Sequence, residues 1–215
     1  MKQASSPTFN WDRFQSIPVV GILRGFSRAH VKQIISCYDQ AGLSTIEITM
    51  NSEGAADLIQ WASKNFGDRL NIGAGTVCTF EDLLIAKEAG ASFIVTPLVE
   101  EHIIVHCKEV GIPVFPGAFS PTEIFSAWKL GGSMIKVFPS AQFGPGYLRA
   151  IHGPFPDIKL LPTGGISLDN IEDYLHAGAS GLGMGGGLFP KAIIEQEAWD
   201  QLSLHFEKII ERLPA

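Results

Sequence analysis

The stretch Ser44-Thr45-Ile46-Glu47-Ile48-Thr49 is short, rich in β-branched residues and alternating in character. A segment of helical periodicity follows from about Glu53 to Phe66. A second short apolar run, Leu70-Asn71-Ile72-Gly73-Ala74-Gly75, comes next. Strand, helix and strand in this order read as a βαβ unit, because parallel strands need a crossover of a dozen or more residues. The pattern continues upstream. Pro18 to Arg24 is an apolar run, and a helix is expected from an N-cap at Ser27 to Ala41, stopped by Gly42. Before it, Trp11 to Phe14 is expected to form a short helix under the sheet.

Downstream, a capped helix opens at Thr79 and ends near Gly90. The run Ser92 to Thr96 precedes a helix from about Val99 to Val110, and Pro113 to Pro116 precedes one from about Pro121 to Leu130. Ser133 to Phe138 precedes a short helix near Tyr147 to Ile151, and Ile158 to Leu161 precedes one from Leu168 to Ala177. Gly181 to Met184 is the eighth run, and Ala198 to Leu213 is the closing helix. Eight strand-plus-helix units close a (β/α)₈ TIM barrel, for which about 200 residues is the lower limit. An open doubly wound sheet is the competing arrangement. The expected class is therefore α/β, a single barrel domain over residues 1–215.

Composition agrees with one sizeable core: 46% of the 215 residues are hydrophobic and 18% charged. Sixteen Lys and Arg against 22 Asp and Glu give a net charge of −6. That balance has no general electrostatic footprint for nucleic acid. No run approaches the roughly 18 apolar residues of a membrane span, and Met1 to Pro7 has no apolar signal core. Cys37, Cys78 and Cys107 are odd in number and lack a CxxC pair. A reducing cytoplasm, with neither nucleic acid nor membrane as partner, is the expectation.

Two charges interrupt the apolar runs. By strand parity Thr45, Glu47 and Thr49 share one face, and Ile46 and Ile48 the other. In Met134-Ile135-Lys136-Val137-Phe138 the same rule separates Lys136 from Ile135 and Val137. Burial disfavours the charged amine, which suits a nucleophilic Schiff-base lysine. A purely structural Glu47–Lys136 ion pair is the other reading, although buried pairs contribute little to stability. Both residues lie toward the C-terminal half of their runs, where barrel active sites sit.

Further candidates lie at the run ends. Gly73-Ala74-Gly75-Thr76 allows close approach of a ligand and offers the Thr76 hydroxyl to a carboxylate. Arg24 is a carboxylate clamp or a solvated loop residue. Pro162-Thr163-Gly164-Gly165-Ile166-Ser167 and Gly183-Met184-Gly185-Gly186-Gly187 follow the seventh and eighth runs, the positions where barrels often bind phosphate. Tight turns at the rim are the alternative. His102 and His106 have a spacing that could chelate a metal, but Ile103 stands where a metalloprotease motif needs Glu. No metal site is expected.

Over nearly its whole length the sequence resembles the KDPG/KHG aldolase family. The matching stretches are Ile46-Glu47-Ile48-Thr49, Gly73-Ala74-Gly75-Thr76-Val77, Ile135-Lys136-Val137-Phe138-Pro139 and Pro162-Thr163-Gly164-Gly165-Ile166-Ser167. The resemblance implies a barrel, usually trimeric, that cleaves a 2-keto-3-deoxy sugar acid or 4-hydroxy-2-oxoglutarate to pyruvate and an aldehyde. It places the Schiff-base lysine on Lys136 and the acid/base glutamate on Glu47. The substrate-contacting threonine falls on Thr76, with Gly75, Phe138 and Thr163 beside the substrate. The phosphate-contacting glycines fall on Gly164, Gly165 and Gly186. No metal or organic cofactor is implied. Asn51 stands where the gluconate-type pattern has an arginine, and is more like the galactonate-type branch; Arg24 is then the candidate clamp. Gly187 stands where the family often has a phosphate-binding serine, which leaves backbone N–H groups. An isomerase-like phosphate-binding barrel and a non-catalytic sugar-acid sensor are the alternatives.

Overall fold

The structure, a computed structural model, describes residues 8–214. The stretch Met1 to Pro7, in which no signal core is expected, lies outside the described residues. The elements are α1 (Trp11–Ser16), β1 (Val19–Leu23), α2 (Arg28–Gln40), β2 (Thr45–Thr49), α3 (Ala55–Phe66), β3 (Asn71–Gly75) and α4 (Phe80–Glu88). Next come β4 (Phe93–Val95), α5 (Glu101–Val110), β5 (Val114–Phe115), β6 (Gly117–Ala118), α6 (Pro121–Leu130) and β7 (Ile135–Val137). The chain ends with α7 (Pro145–His152), β8 (Leu160–Pro162), α8 (Ile171–His176), β9 (Leu182–Met184), α9 (Lys191–Glu195) and α10 (Trp199–Ile210).

Every strand pair is parallel, in the orders β5-β4-β3-β2-β1-β9 and β6-β7-β8. A parallel bridge between Thr163 and Gly183 joins β8 to β9. Only Pro116 separates β5 from β6. The ring therefore closes as a (β/α)₈ barrel whose fifth stave is divided. The sequence reading ended that stave at Pro116 and missed its second half. Proline lacks an N–H and interrupts the ladder, but its carbonyl still accepts from the Lys136 N–H at 2.9 Å. Gly117 has no room for a side chain, since a Cβ would lie 2.5 Å from the Pro97 carbonyl carbon.

Alternation sorts the core into two parts. Val20, Phe93, Val95, Phe115, Met134 and Leu161 pack together with Phe9 and Phe14. These fill the barrel interior, and the short α1 segment closes its floor. Ile46, Ile48, Ile72, Ile135 and Val137 belong to the larger cluster shared with the helices. The polar pair Asn71–Thr45 is satisfied inside: Asn71 Nδ2 donates to Thr45 Oγ1 at 3.0 Å, and Asn71 Oδ1 accepts from Asn10 N–H at 2.8 Å.

Several expected boundaries shift. Helix α3 begins at Ala55 rather than Glu53, after Gly54 turns the chain with φ 66°. Helix α8 begins at Ile171 rather than Leu168. Asn170 holds the preceding loop by accepting from Ser167 N–H at 2.9 Å and donating to Gly165 O at 2.8 Å. Helix α5 starts at Glu101, two residues after the expected Val99, and α7 is longer than expected. Strand β8 is Leu160–Pro162 rather than Ile158 to Leu161. Helix α9 was not anticipated. Its five residues are too few for a periodic signal. Among the described residues, no helix is long and apolar enough to cross a membrane.

Candidate active site

Glu47 on β2 and Lys136 on β7 follow the inward parity expected of them, next to Thr45 and Met134 respectively. Glu47 is 0% exposed and Lys136 3%. Neither Glu47 oxygen has a hydrogen-bond partner among the described residues. Burial raises the Glu47 carboxyl above its ordinary range, opposed by the positive charges of Lys136 and then Arg24. Burial likewise lowers the Lys136 amine, opposed by Glu47 and reinforced by Arg24. Both shifts favour uncharged forms. The pair is thus within electrostatic reach without being locked as a salt bridge, and the amine is available as a nucleophile.

Gly75 makes this arrangement possible. A Cβ there would lie 2.5 Å from the Glu47 carboxyl carbon. Thr76 follows in the left-handed region, φ 53°. That conformation is a genuine outlier for a β-branched residue and marks a position held by its surroundings. Its hydroxyl accepts from Arg24 Nη2 at 3.2 Å, so the ends of β1 and β3 present a hydroxyl and a guanidinium together. Ser52 ties the neighbouring loops, accepting from Gly25 N–H at 3.0 Å and meeting Thr49 Oγ1 at 2.9 Å.

A cavity of about 800 Å³ opens over this end of the barrel. Lys136, Phe138, Thr163, Arg24 and the loops Gly164–Ser167 and Gly185–Gly187 contribute to its wall. The Lys136 amine lies 5.4 Å from the centre of the Phe138 ring, which is 37% exposed. Gly164 and Gly165 have φ of 92° and 77°, a left-handed pair that glycine adopts without steric cost. The expected phosphate loops therefore meet the expected nucleophile in one cavity. Glu47, Gly75 and Thr76 are not part of the cavity wall. Glu47 is fully buried. Asn51 is exposed in the turn after β2 and, like Gly75 and Thr76, lies off the wall.

The remaining wall was not foreseen. Phe26 and Ser27 from the β1–α2 connection, His30 in the first turn of α2, and Lys191 and Glu195 from α9 also line the cavity. The relevant signal was topological: β9 pairs with β1, so the loops after these strands must be neighbours. Outside the cavity, His102 is exposed, and His106 sits edge-on to Phe80 with 5.1 Å between ring centres. No group of three potential metal ligands occurs among the described residues.

The KDPG and KHG aldolase family matches residues 11–204 of the chain. The chain is similar to a 2-dehydro-3-deoxy-phosphogluconate aldolase of Haemophilus influenzae, with 34% identity over 93% of this chain and 94% of the relative. It is also similar to a 2-dehydro-3-deoxy-6-phosphogalactonate aldolase of Escherichia coli, with 33% identity over 80% and 85% of the two chains. Among solved structures, a KDPG aldolase from Legionella pneumophila, with pyruvate captured as a covalent carbinolamine intermediate, superposes with a TM-score of 0.85. The two share 27% identity over 92% of this chain and 96% of the other.

Proposed function

The chain belongs to the KDPG and KHG aldolase family, and on that footing we propose that Lys136 is its Schiff-base lysine and Glu47 its proton-transfer group. The protein is a class I aldolase, a lyase acting on keto-deoxy sugar acids. The observation that carries the assignment is a lysine only 3% exposed, on the cavity wall, its amine held below the ordinary range by burial.

In this reading the neutral Lys136 Nζ adds to the C2 ketone of a 4-hydroxy-2-oxo acid, giving a carbinolamine. Glu47, whose burial favours the protonated form, gives its proton to the departing hydroxyl, so that loss of water leaves an iminium and a Glu47 carboxylate. That carboxylate, directly or through a water, takes the proton of the C4 hydroxyl. The C3–C4 electron pair moves into the iminium as that bond breaks. This gives an enamine on Lys136 and a free aldehyde. Protonation of the enamine at C3 and hydrolysis of the resulting iminium release pyruvate and regenerate the amine. The chemistry uses the lysine as its electrophilic activator.

Arg24, oriented by its hydrogen bond to Thr76, is the carboxylate clamp in place of Asn51. The presence of both the Gly164–Gly165 turn and the Gly186–Gly187 loop in the cavity wall supports a phosphate held by backbone N–H groups. The substrate is a 2-keto-3-deoxy acid of the 6-phosphogluconate or 6-phosphogalactonate type, or 4-hydroxy-2-oxoglutarate. A homotrimer is supported by the apolar residues left exposed on α4, namely Phe80, Leu84 and Ile85, each between 39% and 47% exposed. A cytoplasmic location is supported by three free cysteines, Cys37, Cys78 and Cys107.

Pyruvate release, coupled to lactate dehydrogenase, tests the reading on the three acids in parallel. Saturable release from at least one, abolished in Lys136→Met, is expected. Release undiminished by that substitution would overturn it.

A further inference from the structure

The cavity extends beyond Lys136 and the glycine loops to Lys191, the first residue of α9, five positions after Gly186. Lys191 Nζ pairs with Glu195 at 3.4 Å, one turn along the same helix. Both residues line the cavity, and both stay open to solvent, 80% and 60% exposed. The remaining lysine and arginine residues on the wall are Lys136 and Arg24, and Arg24 is turned to Thr76. Lys191 is thus the cation nearest in sequence to the Gly185–Gly187 loop.

That loop cannot supply a hydroxyl of its own at Gly187. A Cβ at Gly187 would strike the Ile166 carbonyl oxygen and lie 3.2 Å from the Ser167 Cα, both fixed backbone. The neighbouring Gly186 has nothing within 4 Å of its would-be Cβ, so the restriction is local to Gly187. A distal anion therefore meets backbone N–H groups and, beside them, one long and mobile ammonium. Glu195, 3.4 Å from that ammonium, competes with the anion for it.

We propose that Lys191 is a specificity-determining residue that recognises the distal phosphate ester of the substrate, and that Glu195 sets its availability. The proposal rests on the aldolase reading, which fixes where the other end of the substrate sits. An exposed charge pair is a modest interaction, so the expected effect is also modest.

The test compares Lys191→Met and Glu195→Gln with the parent, on a phosphorylated keto-deoxy sugar acid and on unphosphorylated 4-hydroxy-2-oxoglutarate. Lys191→Met should raise KM for the phosphorylated acid about three- to tenfold, leave kcat within about twofold, and leave the unphosphorylated acid unchanged. Glu195→Gln should lower the same KM by about twofold. The Lys191 effect should shrink as ionic strength rises. Inorganic phosphate, titrated by calorimetry, supplies a readout without catalysis: its affinity should fall in Lys191→Met and rise in Glu195→Gln. Equal KM changes on both acids, or phosphate affinity indifferent to Lys191, would overturn the proposal. If phosphate binding responds as expected but the parent releases no pyruvate, the anion site stands and the aldolase reading fails.

Discussion

The carboxyl group of Glu47 fills the space that a side chain on Gly75 would need, with a would-be Cβ 2.9 Å from Glu47 Oε2. The two residues are on adjacent parallel strands, Gly75 facing Thr49 in register. Gly75→Ala should therefore displace the carboxylate without unfolding the barrel. Small misplacements of catalytic groups are costly, and kcat should fall by about 10²-fold. Circular dichroism and the cleavage assay, run together, check this. Unchanged kcat would mean that the position of Glu47 is not critical.

The buried Glu47 also sets a pH dependence of stability. Its folded pKa lies above the ordinary 4.5 because burial disfavours the charged form. The folded protein then keeps a proton that the unfolded chain releases. Stability is fully present below the ordinary value and is lost as pH rises toward the folded pKa. Glu47→Gln escapes that loss. Its melting temperature should exceed the parent's at about pH 8, with the gain vanishing below about pH 4.5. Calorimetry across this range measures it. A variant less stable throughout would show that attraction to Lys136 outweighs desolvation.

Arg24 and Thr76 form a polar pair across the ends of β1 and β3. A guanidinium offers a planar fork to a carboxylate, and a lysine does not. Arg24→Lys should reduce kcat/KM by about 10- to 100-fold, mainly through KM, the range of a lost charged hydrogen bond. Steady-state kinetics with and without the substitution decide the point. A loss confined to kcat would argue against a clamp.

Gly187→Ser would restore the hydroxyl often found in the family. Here it should destabilise the loop instead, because the new Cβ meets the Ile166 carbonyl. Weaker phosphate binding and a lower melting temperature are expected. Tighter binding would show that the loop can shift.

The eight-stave pattern was legible because each apolar run is short and each crossover is helical in period. The inward placement of Glu47 and Lys136 was legible from strand parity, which sets them opposite the isoleucines and valine that pack on the helices. The break at Pro116 was not, since Val114 to Ala118 forms one stave with two different neighbours, β4 before the proline and β7 after it. Asn51 was read from its position in a motif, and the turn after β2 leaves it off the cavity. His30 and Lys191 were missed because they come to one cavity only through closure of β9 on β1, a contact between the two ends of the barrel sequence.

The most direct test of the central claim is borohydride reduction in the presence of pyruvate, followed by peptide mass spectrometry. Burial keeps a larger fraction of the Lys136 amine neutral than an exposed lysine would show at the same pH. A single reduced pyruvate adduct on Lys136, absent from Lys136→Met, is predicted. A folded protein that gives no adduct, or an adduct on another lysine, would contradict the account.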